Sequence, residues 1–157
     1  MRIKNICLCG IIAALYVALT LINPISWGSL QFRVANILCV LPFVCKKTAP
    51  GILIGIAIAN FFSPLGLIDV LFGVAAEGVA YAAMVYGPYR RAPAAAKLLA
   101  LSLCVAAIVG AELTMVYQIP YLVNFVSLFI STAIITGVGY AILCTPPVKK
   151  AIRMMDT

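Results

Sequence analysis

Four charged side chains stand out in a chain built mostly of apolar residues: Arg33, Asp69, Glu77 and Glu112, each inside or beside an apolar run. A charge in hydrocarbon costs about 2.5–3.5 kcal/mol on insertion scales, so a membrane chain that keeps one gives it a partner or a polar cavity. A guanidinium carries five N–H donors in a planar fork, and a carboxylate accepts paired N–H bonds or balances an ammonium group. Two chemistries are open to this set. Arg33 locks to Asp69 or Glu112 as a structural pair, or these groups face a ligand. Glu77 follows Asp69 by eight residues, about 80° round a helix, and suits either a helix–helix hydrogen bond or a cavity wall.

Other polar and aromatic residues fall toward the same outer end: Trp27, Gln31, Phe32, Asn36, Asn60, Tyr117, Gln118 and Asn124. Aromatic faces stack on a planar ring, and amides read its donor and acceptor edges. The expected ligand contacts are Trp27, Gln31, Phe32, Arg33, Asn36, Asn60, Asp69 and Glu112. Trp27 and Tyr117 also fit the aromatic belt of a membrane–water interface.

The elements that must position these groups follow from composition. Of 157 residues, 65% are apolar and 10% charged, with a mean hydropathy of +1.17, far outside soluble usage. These values describe an all-α integral membrane protein. A spanning helix takes about 20 residues, so the length fits six transmembrane helices in a single membrane domain over residues 1–157. Proline, glycine and polar breaks place the helices at 5–22, 33–45, 50–62, from 66–69 to 86, 97–117 and 121–144, the second and third being short. The basic start before helix 1 resembles a secretory signal, but its apolar run is about as long as a full span, so helix 1 is expected to be retained.

Ten of the eleven basic residues lie at the N-terminus, between helices 2 and 3, between helices 4 and 5, or after helix 6; Arg33 is the exception. Lys and Arg accumulate in cytoplasmic loops, so the pattern expects both termini in the cytoplasm. Contact with anionic lipid headgroups explains the net charge of +7 without nucleic acid.

Small residues recur every four positions at Gly10, Ala14 and Ala18, at Gly51, Gly55 and Ala59, and at Ala106 with Gly110 and Ala107 with Ala111. Such stripes let helices approach closely, within the bundle for helices 3 and 5, and within it or against another membrane subunit for helix 1. The six cysteines read as packing residues; Cys7-x-Cys9 lacks the further ligands of a tetrahedral site, in a chain without histidine. No metal, cofactor or catalytic residue is expected. The phosphate-loop pattern GxxxxGK[ST] does not occur.

GSLQFRVANILCVLPF at 28–43, followed by GILIGIAIANFFSPLGLIDVLFG at 51–73, resembles the QueT family of substrate-binding (S) components of energy-coupling factor (ECF) transporters, with IVGAEL at 108–113 as a weaker continuation. The resemblance implies a prokaryotic, multi-pass plasma-membrane subunit that captures a queuosine precursor, a 7-deazaguanine compound, on the outer side. It implies docking on a transmembrane scaffold and two ATPase subunits, which would hydrolyse the ATP, and it makes Gly10, Ala14 and Ala18 the stripe that meets the scaffold. Arg33, Asn60, Asp69 and Glu112 stand in the family-like segments, where Asp69 contacts ligand or fixes Arg33. The family pattern leads one to expect acids where this chain has Asn36 and the Ser131–Thr132 region. An amide has one acceptor oxygen and a competing NH₂ donor, so a different precursor, purine-like compound or vitamin is an alternative ligand.

Other classes make different demands. An ion-coupled carrier would use Asp69, Glu77 and Glu112 as protonatable sites. An intramembrane enzyme would need a nucleophile–base pair or a metal cluster, and a pure scaffold or lipid-packing protein would bind no small molecule.

Overall fold

The apolar runs between the proline and glycine breaks wind into helices that bury one face on each other. The computed structural model describes residues 3–23 and 32–156, without the side chains at 151 and 153–156. Trp27 and Gln31 lie outside the described residues. The helices are α1 (Ile3–Ile22), α2 (Val34–Val44), α3 (Ala49–Phe61), α4 (Leu67–Tyr86), α5 (Ala94–Tyr117), α6 (Tyr121–Leu143) and α7 (Pro146–Asp156). No strand occurs among the described residues. Helices α1, α4, α5 and α6 are long and apolar enough to cross a membrane. With seven residues of 3₁₀ helix followed by four of α-helix, α2 falls short of the about 30 Å hydrocarbon core, as does the 13-residue α3.

The long helices bury residues at three- and four-residue spacings: Cys9, Ile12, Ala13, Tyr16 and Thr20 on α1, and Asn124, Leu128, Thr132, Ile135, Thr136, Gly139 and Leu143 on α6. Their other faces carry exposed Ile, Leu and Val, the arrangement expected where lipid is the solvent.

Glycines set the closest contacts. A Cβ on Gly51 would lie 2.8 Å from the Cys9 backbone, and one on Gly55 would lie 2.9 Å from Tyr16 Cβ and 3.1 Å from Ala13 Cα. Helix α3 therefore rests directly on the backbone of α1. Likewise a Cβ on Gly139 of α6 would lie 2.7 Å from the Ile37 carbonyl oxygen of α2. The stripes Gly51, Gly55 and Ala59 and Ala106 with Gly110 thus pack inside the bundle, whereas Ala107 is exposed and its stripe with Ala111 is not buried there. Gly10, Ala14 and Ala18 are exposed and floor an open groove with Val17, Leu21, Ile54 and Ile58.

Two local windings depart from a regular α-helix. Residues Val34–Val40 are 3₁₀, in which positions i and i+3 eclipse, so Asn36 and Cys39 line one buried face. Helix α4 ends in a π-helical turn at Ala82–Tyr86 before Gly87-Pro88. The basic segment that follows the sixth expected helix is itself helical. Its first residues are Pro146 and Pro147, and proline is pre-organised for the first turn of a helix. Ile152 of α7 is buried and Val148 packs against the core.

The Gly51 contact has a measurable consequence. Gly51→Ala places a methyl group against backbone that has no side-chain freedom to yield, and should cost about 1–3 kcal/mol, lowering the thermal unfolding midpoint in detergent. Gly10→Ala, with nothing within 4 Å of the new methyl, should leave that midpoint unchanged.

Candidate functional site

The turn between α3 and α4 brings together residues from separate helices. Gly66 has φ +55°, a conformation open to glycine, and donates its N–H to the Ser63 carbonyl at 3.0 Å. The Ser63 hydroxyl accepts the Leu65 N–H at 3.2 Å. This reversal sets the last turn of α3 beside the first turn of α4, so the Asn60 side-chain NH₂ donates to the Asp69 backbone carbonyl at 2.8 Å. Gly73 lies so close to the Asn60 amide that a Cβ there would overlap it.

Arg33 reaches this pair from the start of α2. Its Nη1 donates to Asn60 Oδ1 at 2.7 Å, and its Nη2 donates to Asp69 Oδ1 and Oδ2 at 3.1 and 3.3 Å. Arg33, Asn60 and Asp69 therefore form a closed ring of hydrogen bonds, with 7%, 0% and 0% of their surfaces exposed. Of the two acids open to Arg33, Asp69 is the one within salt-bridge distance.

Beyond this lock lies a small cavity lined by Arg33 and Asn36 from the start of α2, Gly73 and Glu77 of α4, Val105 and Val109 of α5, and Leu128 and Thr132 of α6. Its volume is about 10 Å³, about the space of one water molecule. One side is branched aliphatic and the other polar. Asn36 Oδ1 accepts the Tyr16 hydroxyl at 3.2 Å, which braces it from α1, and the Tyr81 hydroxyl holds the Cys39 carbonyl at 2.8 Å. Glu77 is 5% exposed, and its Oε2 has no hydrogen-bond partner among the described residues.

Of the residues expected to meet a ligand, Arg33 and Asn36 line this cavity. Asn60 and Asp69 stand behind Arg33 and hold it. Glu112 is fully buried on α5, three residues beyond Val109 toward the helix C-terminus, and neither carboxyl oxygen has a partner among the described residues. Phe32 is 41% exposed and is not part of the lining. Asn124 joins α6 to the end of α5, donating to Thr114 Oγ1 at 3.1 Å. Tyr117 and Gln118 are exposed.

The remaining lining residues carried little sequence signal. Gly73, Val105, Val109 and Leu128 are ordinary residues in an apolar chain, and Thr132 falls in the region where an acid was expected. What links them is spacing: Gly73 with Glu77, Val105 with Val109, and Leu128 with Thr132 are each four apart, on one helix face. The six cysteines are free thiols. Among the described residues no three His, Cys, Asp or Glu side chains gather as a metal site.

Fold and site together define a multi-pass helical membrane protein with a buried polar centre. The chain belongs to the QueT transporter family, which it matches over residues 6–146. A curated relative, the queuosine precursor transporter QueT of Lactococcus lactis subsp. cremoris (strain MG1363), is 42% identical over 67 residues. That segment covers 41% of this chain and 39% of the relative, well under two thirds of the relative's length. No solved structure matches.

The ring of hydrogen bonds makes a prediction about stability. Asp69→Ala removes the carboxylate facing a buried guanidinium and should destabilise the fold by about 3–5 kcal/mol. The double variant Arg33→Met, Asp69→Leu should recover much of that loss, because neither member of the pair is then left buried without the other. Denaturant unfolding in mild detergent measures both.

Proposed function

We propose that this protein is the substrate-capture S component of an ECF-type importer for a queuosine precursor of the 7-deazaguanine class. Ligand enters from the outer side, and transport runs on ATP hydrolysed by partner subunits. The observation that carries this reading is the buried centre itself. Val105, Val109 and Leu128 suit the face of a flat bicyclic ring, while Arg33, Asn36, Glu77 and Thr132 suit its hydrogen-bonding edges. The named substrate of the Lactococcus relative supports the same ligand class.

In this reading the chain crosses the membrane six times, with both termini in the cytoplasm. The two short helices α2 and α3 pack between longer ones, so protein covers part of their length. Asn60 and Asp69 hold Arg33 at the ligand, and Glu112 lies on the ligand's way in from the outer end of α5. A cavity of about 10 Å³ has to widen before a ring can enter, by movement of side chains or by parting of α4, α5 and α6. The exposed face of Gly10, Ala14 and Ala18 supports docking of the scaffold subunit on α1, since small side chains permit close helix approach.

Equilibrium binding to the detergent-purified chain tests the ligand class. A 7-deazaguanine should bind saturably and raise the unfolding midpoint by mass action, while unrelated vitamins should not. Asn36→Ala should weaken that binding by about tenfold, the worth of one buried hydrogen bond. A vitamin binding in place of a deazaguanine would keep the transporter and remove the substrate.

Reconstitution in liposomes tests the energy source. The chain alone should bind ligand without accumulating it, and uptake should require the ATPase module. Ala14→Leu should abolish uptake with ligand binding retained. Gradient-driven uptake by the chain alone would instead make it an ion-coupled carrier.

A further inference from the structure

Asn36 of α2 and Thr132 of α6, in the regions where acids were expected, both line the cavity and carry no charge. The centre nevertheless holds a carboxylate, supplied by a third helix. Glu77 lies four residues after Gly73 on the same face of α4, and both line the cavity. Glycine at 73 lets the Asn60 amide approach α4, which draws α3 and Arg33 toward the face that carries Glu77. The glutamate is 5% exposed, with Oε2 unpartnered among the described residues. Arg33, on the same lining, is within salt-bridge distance of Asp69, so an acid with a counter-charge and an acid with a vacant acceptor oxygen occur in one site.

The geometry points to Glu77 as the residue that reads the ligand's donor edge: its Oε2 accepts an N–H of the bound ring. A buried carboxylate oxygen without a donor is costly, and an N–H bond to a charged acceptor is stronger than one to a neutral group. The site should therefore favour a ring with an exocyclic amino donor over the same ring without it. Asn36 and Thr132 remain as adaptable partners, since a hydroxyl and an amide each donate and accept.

This inference rests on the deazaguanine reading above, and the test separates the two. The probes are 7-deazaguanine and 7-deazahypoxanthine, which differ by the single exocyclic amino group, measured by equilibrium binding to detergent-purified wild type, Glu77→Gln and Glu77→Asp. Wild type should prefer the amino compound by about 10- to 100-fold. That ratio should fall toward unity in Glu77→Gln, and Glu77→Asp should keep a preference at weaker overall affinity. A purely structural glutamate would weaken both probes alike and leave the ratio intact, which overturns the assignment. Equal binding of the two probes to wild type overturns it without any variant, so the test survives if Glu77→Gln fails to fold. Binding of neither probe to wild type removes the substrate reading, and this inference with it.

Discussion

The bundle is organised by one requirement: an arginine placed among apolar helices must be paired where water is scarce. Arg33 meets it through Asp69 and Asn60, residues nine apart in sequence that the Ser63–Gly66 turn sets side by side. That triangle ties the start of α2 to the junction of α3 and α4. Once these are joined, Gly73 brings α4 against Asn60, while Gly51 and Gly55 bring α1 against α3. Polar interactions and close backbone contacts thus reinforce each other. Neither alone would specify the arrangement, because helix association in lipid lacks the hydrophobic driving force available in water.

The centre divides its charged groups into two kinds. Arg33 and Asp69 form a pair whose members fix each other, and Asn60 is tied to both. Glu77 and Glu112 carry carboxyl oxygens with no donor among the described residues. A protein that only needed to hold its helices together would gain little from the second kind, since buried acceptors without donors weaken a fold. In the proposed reading, these carboxyl groups on α4 and α5 are the ones an external partner would meet.

Much of this was legible in the sequence because charges are rare in it. Four acids, and an arginine set apart from the other basic residues, left few possible pairings, and Arg33 with Asp69 was one of the two open; that Asn60 would join them across the Ser-Pro-Leu-Gly turn was not legible. Helix ends were legible from Pro and Gly, with α5 beginning at Ala94 on the far side of Pro93 rather than at 97. The 3₁₀ winding of α2 was not, since periods of 3.0 and 3.6 scarcely separate over so few residues. Nor was the aliphatic wall: Val105, Val109 and Leu128 look like any other apolar residue when nearly every helix face is apolar. The helical form of α7 was hidden by reading its prolines as a stop, where they serve as a first turn.

The narrowness of the centre has an electrical meaning for the cell. A pathway through a membrane protein conducts ions when water fills it continuously, and among the described residues the space bounded by Val105, Val109 and Leu128 is about 10 Å³, room for about one water. In the proposed reading, a centre this tight would leave the membrane's voltage intact between one solute and the next.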